Sequence, residues 1–136
     1  MGTNFRKQVY AAGILLVCEQ TRRILLLKRG KGSSNPGTWS LPGGKLEKLE
    51  FPREAGIREI FEETGFDTSK MDISLFDISY SPSFIFYSYL LYIPNEVECT
   101  LNEENSAFGW FNFDQLSKIS LHYGVKDMLE KIREVI

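Results

Sequence analysis

Apolar positions along the chain follow two rhythms, one with a period near two residues and one near 3.6, and the switches between them delimit the elements. The aliphatic and β-branched runs QVYAAGILLVCEQ, from Gln8, and RILLLKRG, from Arg23, predict two strands joined by a polar turn over Glu19 to Arg22. Glycine, serine and proline then concentrate in GKGSSNPGTWSLPGG, Gly30 to Gly44, which predicts one long loop. From Pro52 to Thr64 the run PREAGIREIFEET has proline in a first-turn position, apolar residues at helical spacing and Gly65 as a stop, so it predicts a helix. The segments ISLFDISY and SFIFYSYLLYI predict a hairpin around Ser81 and Pro82. A polar loop from Asn95 to Ser106, a short strand from Phe108 to Phe111 and a final amphipathic helix from Gly124 to Val135 follow, the helix carrying Val125, Met128, Leu129 and Ile132 on one side. The expected fold is α/β, a mixed sheet with helices.

No repeat or linker divides the 136 residues, and a 43% hydrophobic content fills one core, so residues 1–136 are expected to form a single domain. Sixteen lysines and arginines stand against 18 aspartates and glutamates, a net charge of -2, which excludes a generic nucleic-acid or acidic-membrane binder. The longest apolar stretches, Ala11 to Cys18 and Phe84 to Ile93, fall short of the roughly 18 residues that span a bilayer. The polar start MGTNFRKQVY has no apolar segment of a secretory signal, so a cytoplasmic location is expected. Cys18 and Cys99 lack CxxC spacing and a nearby histidine, and are expected as reduced, partly buried thiols.

Acid is concentrated between Gly44 and Phe66, where Glu47, Glu50, Glu54, Glu59, Glu62 and Glu63 fall. On a helix turning about 100° per residue, Glu59, Glu62 and Glu63 lie within roughly 100° of one another. Ile57, Ile60, Phe61 and Thr64 are expected on the other side, and Ala55 and Gly56 leave the turn before the glutamates almost bare, open to a ligand. Like charges at this spacing cost a few tenths of a kcal/mol per pair, so compensation is required. Carboxylates without histidine or cysteine suit a hard ion, Mg²⁺ or Mn²⁺. The competing reading is a solvated glutamate face partnered by Arg53 and Arg58.

The spacing decides between them, because the segment resembles the signature of the Nudix hydrolases. That signature reads glycine, five residues, glutamate, seven residues, arginine and glutamate, an aliphatic, any residue, two glutamates, any residue, glycine and an apolar residue. Gly44, Glu50, Arg58, Glu59, Ile60, Glu62, Glu63, Gly65 and Phe66 fill it in order. With seven fixed residue types, a chance match at one register is roughly one in 10⁸. The flanking TWSLPGGK and GWFNFDQL are similar to family features as well. Leu49 replaces a glycine common just before the first glutamate, and Gly56 an alanine.

The resemblance implies an α/β/α sandwich and a divalent-metal-dependent pyrophosphohydrolase that attacks a nucleoside diphosphate linked to another group. It implies Mg²⁺ or Mn²⁺ held by Glu59, Glu62, Glu63 and the Gly43 carbonyl, Arg58 orienting a glutamate, and Glu50 capping or holding the loop–helix junction. Gly43 and Gly44 would border the substrate, and Arg29, at the end of the second strand, would contact a base or phosphate. Family members often add a loop carboxylate before the last strand; Glu104 is preferred over Glu103, Ala107 standing where a second acid is frequent. The general base is then Glu59 or Glu104. The favoured substrate is a nucleoside triphosphate, including an oxidised one; a nucleotide sugar, a dinucleoside polyphosphate or a non-catalytic nucleotide sensor are the alternatives. No membrane or stable nucleic-acid partner is expected, and a homodimer stays open. Arg6, Lys7, Arg22, Arg23, Lys28 and Lys31 are read as solvated charges, His122 as a satisfied surface residue, and Trp39, Trp110, Phe84, Phe86 and Tyr87 as packing residues of which the last three could also stack on a base.

Overall fold

The computed structural model describes residues 8–136; Arg6 and Lys7 lie outside the described residues. Strands β1 (Val9–Cys18) and β2 (Arg23–Arg29) are followed by β3 (Trp39–Ser40), β4 (Gly43–Lys45), helix α1 (Pro52–Thr64), β5 (Ser74–Ser81), β6 (Phe84–Ile93), β7 (Asn105–Phe111), α2 (Phe113–Leu116), α3 (Tyr123–Lys126) and α4 (Leu129–Val135). They build one mixed sheet in the order β3-β2-β1-β6-β5, with β4 also on β1 and β7 also on β2. The long pair β1–β6 is parallel, from Val9 opposite Phe84 to Cys18 opposite Ile93; β5 and β6 form the expected antiparallel hairpin.

Strand β1 is apolar without alternation because both of its faces are covered. Ile14, Leu16 and Cys18 pack with Ile60 of α1, while Leu15 and Val17 pack with Leu116, Val125 and Ile132 of the three C-terminal helices. The result is the α/β/α sandwich. No described helix is long and apolar enough to cross a membrane.

The sheet contains a fork that positions the site. Strands β1 and β2 pair only beside their turn, at Val17 with Ile24 and Cys18 with Arg23. In the opening, β3 lies on β2, and β4 lies on β1 with Gly43 opposite Gly13. The backbones approach closely there: a Cβ at Gly43 would fall 2.5 Å from the Ala12 carbonyl oxygen. The stretch from Gly30 to Gly44, expected to be loop throughout, therefore holds two short strands, too brief to show a period and set by pairing to the fork.

Two further boundaries differ. β7 begins at Asn105 rather than Phe108. The expected helix from Gly124 to Val135 is broken between α3 and α4, where the Met128 amide bonds the Val125 carbonyl at 3.0 Å, three residues back instead of four. Val125, Met128 and Ile132 stay buried across the break, so the apolar stripe survives it. Helix α2 was not anticipated, although Asn112 and Gln115 close a reciprocal cap at 2.8 and 2.9 Å.

Leu49 occupies the left-handed region, φ 66, with its side chain 94% exposed. This is the physical reason a glycine suits the position: the conformation costs a branched residue about 1–2 kcal/mol, and the exposed side chain returns little packing. Glycine gives back roughly 0.5–1 kcal/mol in unfolded-chain entropy, so Leu49→Gly is expected to raise the melting temperature by about 2–4 °C. A lowered melting temperature in calorimetry would show that the leucine makes a compensating contact.

Candidate active site

Helix α1 begins where the Phe51 amide donates to the Glu54 carboxylate at 3.1 Å, and ends at Gly65, φ 78, whose amide donates to the Phe61 carbonyl at 2.8 Å. Its buried stripe is Ala55, Gly56, Glu59, Ile60, Glu63 and Thr64. Acidic and apolar residues thus share the inner face instead of opposing each other, and Phe61, expected inside, is exposed. Ala55 and Gly56 do not admit a ligand; a Cβ at Gly56 would already lie 3.4 Å from Ile14. Their small size lets the first turns rest on β1, and the following turns then bury carboxylates over β4. Gly44 completes this cradle, since a Cβ there would meet the Glu59 carboxylate at 2.6 Å.

Arg58 is the hub of the neighbouring charges. Its Nε and Nη2 donate to the two Glu50 oxygens at 2.8 and 2.9 Å, its Nη1 donates to Glu59 Oε1 at 2.9 Å and Glu62 Oε2 at 3.2 Å, and Nη2 also reaches the Lys45 carbonyl at 3.1 Å. Glu50 additionally accepts the Glu47 amide at 2.9 Å. The Arg58 fork holds the Glu50 carboxyl below its ordinary range. Glu50 is therefore the anchor of Arg58 and of the loop, while Glu54 provides the cap.

Glu63 is buried with two donors, the Gly43 amide to Oε1 at 2.7 Å and Asn105 Nδ2 to Oε2 at 2.9 Å. Oxygens of Glu59, Glu63 and Glu104 lie within 4.8 Å of one another. Burial, reinforced by the neighbouring Glu59 and Glu104 charges, lifts the Glu63 carboxyl to about 8 despite those donors. Burial raises Glu59 too, against the opposing pull of Arg58. Glu62 stands outside this converging set, half exposed on Arg58. Glu103 borders the adjoining cleft without joining the carboxylates.

Glu63 and Glu104 border a cleft of about 720 Å³. Gly43, Gly44 and Lys45 border it beside Glu63; Tyr80, Phe84, Phe86 and Tyr123 give it an aromatic part. Phe84 and Phe86 are stacked with centroids 6.3 Å apart, whereas Tyr87 does not border the cleft. Arg29 lies at the rim, but its Nε and Nη2 are engaged by Ser34 at 2.6 and 2.9 Å, so it fastens the loop after β2. His122 also borders the cleft: Nδ1 accepts the Gly124 amide at 3.1 Å, and burial, with Arg29 nearby, depresses its pKa. Trp39 packs edge-on against Phe111, and Trp110 is buried with its Nε1 donating to the Val97 carbonyl at 3.1 Å. Cys18 and Cys99 are free thiols; burial pushes Cys99 up to about 11. Asn105 is the site residue that sequence reasoning missed, being one asparagine among several in a polar stretch.

The family model for the NUDIX domain matches residues 7–132, and the chain belongs to that family. Among its relatives, the 8-oxo-dGTP diphosphatase of Proteus vulgaris is 37% identical over 65 residues, 48% of this chain and 56% of that protein. The mRNA-decapping enzyme subunit 2 of Arabidopsis thaliana is 44% identical over 69 residues, 51% of this chain and 17% of that protein. The matched chain thus spans less than two thirds of either relative. Of solved structures, a MutT NUDIX hydrolase from Burkholderia pseudomallei superposes with a TM-score of 0.77 at 29% identity, covering 93% of this chain and 98% of that one. The NUDIX domain of Shewanella oneidensis NrtR, complexed with ADP ribose, shares the fold with a TM-score of 0.80 at 17% identity over 96% and 89% of the two chains.

The raised Glu63 carboxyl has a consequence for the metal-free protein. Between the ordinary value of 4.5 and about 8 the folded state keeps a proton that the unfolded state has released, so stability falls as pH rises through this window. In the presence of chelator, the melting temperature of Glu63→Gln relative to wild type is expected to climb steadily from pH 5 to pH 8. A difference independent of pH would contradict the burial of an ionisable Glu63.

Proposed function

We propose that the chain is a divalent-metal-dependent pyrophosphohydrolase of small nucleotides, with a nucleoside triphosphate as the favoured substrate. The observation that carries this reading is the convergence of Glu59, Glu63 and Glu104, the last two of which border a cleft that also carries Tyr80, Phe84, Phe86 and Tyr123. Three carboxylates within 4.8 Å, with Arg58 bonded to only one of them, leave a local excess of negative charge. The donors are all oxygen, which fits Mg²⁺ or Mn²⁺ and not zinc. Glu59, Glu63 and Glu104 would hold the ion, with Glu62 at the rim and the Gly43 carbonyl as the remaining oxygen donors. Such an ion, when bound, neutralises phosphate charge and makes a neighbouring water more acidic.

The residues have separable tasks on this reading. Arg58 fixes Glu59 in one rotamer and occupies its Oε1. Glu104 has no hydrogen-bond partner for its carboxylate among the described residues and is exposed, so it is the better acceptor for the proton of the attacking water. Phe84 and Phe86 offer ring faces to a base, and both border the same cleft as Glu63 and Glu104. Water adds to phosphorus, the anhydride bridge between the α and β phosphates breaks, and the products are a nucleoside monophosphate, pyrophosphate and a proton. The diphosphatase named among the relatives supports a triphosphate substrate.

A panel of nucleoside triphosphates, oxidised triphosphates, nucleotide sugars and dinucleoside polyphosphates, incubated with Mg²⁺ and resolved by chromatography, tests the reading. Monophosphate and pyrophosphate from a triphosphate are expected; turnover of none of the four classes would overturn it. Glu63→Gln should cut turnover by about 100-fold or more, with the fold kept by circular dichroism. Glu104→Gln should lower kcat by roughly tenfold to a thousandfold with a smaller change in KM, and Glu103→Gln should change little. Reversed results for the two loop acids would move the base to Glu103.

A further inference from the structure

We infer that Asn105 is a positioning residue that locks Glu63 and the loop acid Glu104 into one metal-facing set, an inference that rests on the hydrolase reading above. Asn105 is buried, and among the described residues its side chain bonds Glu63 Oε2, at 2.9 Å. In the ionised form that would hold a cation, the Glu63 carboxylate only accepts hydrogen bonds, so the amide presents its NH₂ and stops Glu63 from turning away from the cluster. The chain just before it is held as well. The Gly30 amide donates to the Glu104 carbonyl at 3.0 Å, and the Glu104 amide donates to Asn102 Oδ1 at 3.1 Å. Glu104 is thus delivered by a backbone tied to the end of β2, and Asn105 ties that same backbone to α1.

A strand irregularity makes this arrangement. Lys28 pairs with Ala107 and Arg29 with Asn105, so Ser106 is an extra residue on β7. Phe108 and Trp110 face the α1 side of the sheet. In a regular strand the alternation would give that face next to Ser106 and send Asn105 to the opposite one. The bulge turns Ser106 outward, where it is exposed, and hands the inner position to Asn105. Bulges beside functional sites re-aim side chains in this way.

The test measures metal binding directly, by calorimetric titration of the nucleotide-free protein with Mn²⁺, together with kinetics on a substrate of the panel. In Asn105→Leu, which keeps the branched side-chain shape and loses the donor, the Mn²⁺ dissociation constant should rise about tenfold and kcat fall by about tenfold to a hundredfold, as outer partners of metal ligands generally cost. KM for the nucleotide should stay within about threefold, because Asn105 touches Glu63 and not the base. The kcat loss caused by Glu104→Gln should largely vanish in the Asn105→Leu background, since residues acting as a unit are not additive. Unchanged Mn²⁺ affinity in folded Asn105→Leu, or full additivity with Glu104→Gln, would overturn the inference and reduce Asn105 to a packing residue. Asn105→Ala, which also lacks the donor and adds no oxygen ligand, serves if the leucine variant does not fold. Wild-type protein that binds no Mn²⁺ would instead count against the hydrolase reading itself.

Discussion

Two glutamates from successive turns of α1 are buried against a strand that offers them no side chain, and the rest of the site follows from that constraint. Gly43 can lie on β1 only because neither backbone carries a Cβ into the gap, and Gly44 leaves room for the Glu59 carboxylate. Ionised carboxylates within 4.8 Å of one another would repel by about 3 kcal/mol per pair at the effective dielectric of a protein site, and Glu63 meets this by keeping its proton up to about 8. The internal compensation is incomplete: Arg58 serves Glu59, two neutral donors serve Glu63, and the Glu63 carboxyl stays near 8. A metal-free site of this kind carries electrostatic strain that a hard cation relieves, so the preference for a divalent ion is written into the packing.

The charge network also explains why Arg58 has so many partners. It reaches Glu50, Glu59, Glu62 and the Lys45 carbonyl from one guanidinium, joining the loop before α1, the strand β4 and the helix. A lysine could not span these groups, because its ammonium lacks the planar fork that takes Glu50 bidentately. Arg58 therefore fixes the angle at which α1 meets β4, and with it the distance between Glu59 and the cleft.

Much of this was legible in the chain. Pro52 and Gly65 bound α1 as predicted because each acts locally, one through its fixed φ and the other through the left-handed cap. The apolar runs of β1, β2, β5 and β6 announce themselves by length and composition. Glu59, Glu63 and Glu104 were all candidates from spacing and resemblance, and they converge. What the chain did not disclose depends on pairing between distant segments. β3 and β4 exist only because β1 and β2 splay; Asn105 faces Glu63 only because Ser106 is bulged out; and Glu59 and Glu63 point inward because Ala55 and Gly56 bring the helix onto β1. A helical wheel has no sheet in it, so it placed Phe61 inside and the glutamates opposite. The cap formed by Asn112 and Gln115 was readable from its spacing and passed over.

On the proposed function, the buried carboxylates of α1 and the loop acid form one cation site. An anomalous-scattering map from crystals soaked in Mn²⁺ tests it most directly. A manganese peak is expected within coordination distance of oxygens of Glu59 and Glu63, with Glu104 at or near the ion. A peak elsewhere on the molecule, with these three carboxylates bare at saturating Mn²⁺, would contradict it.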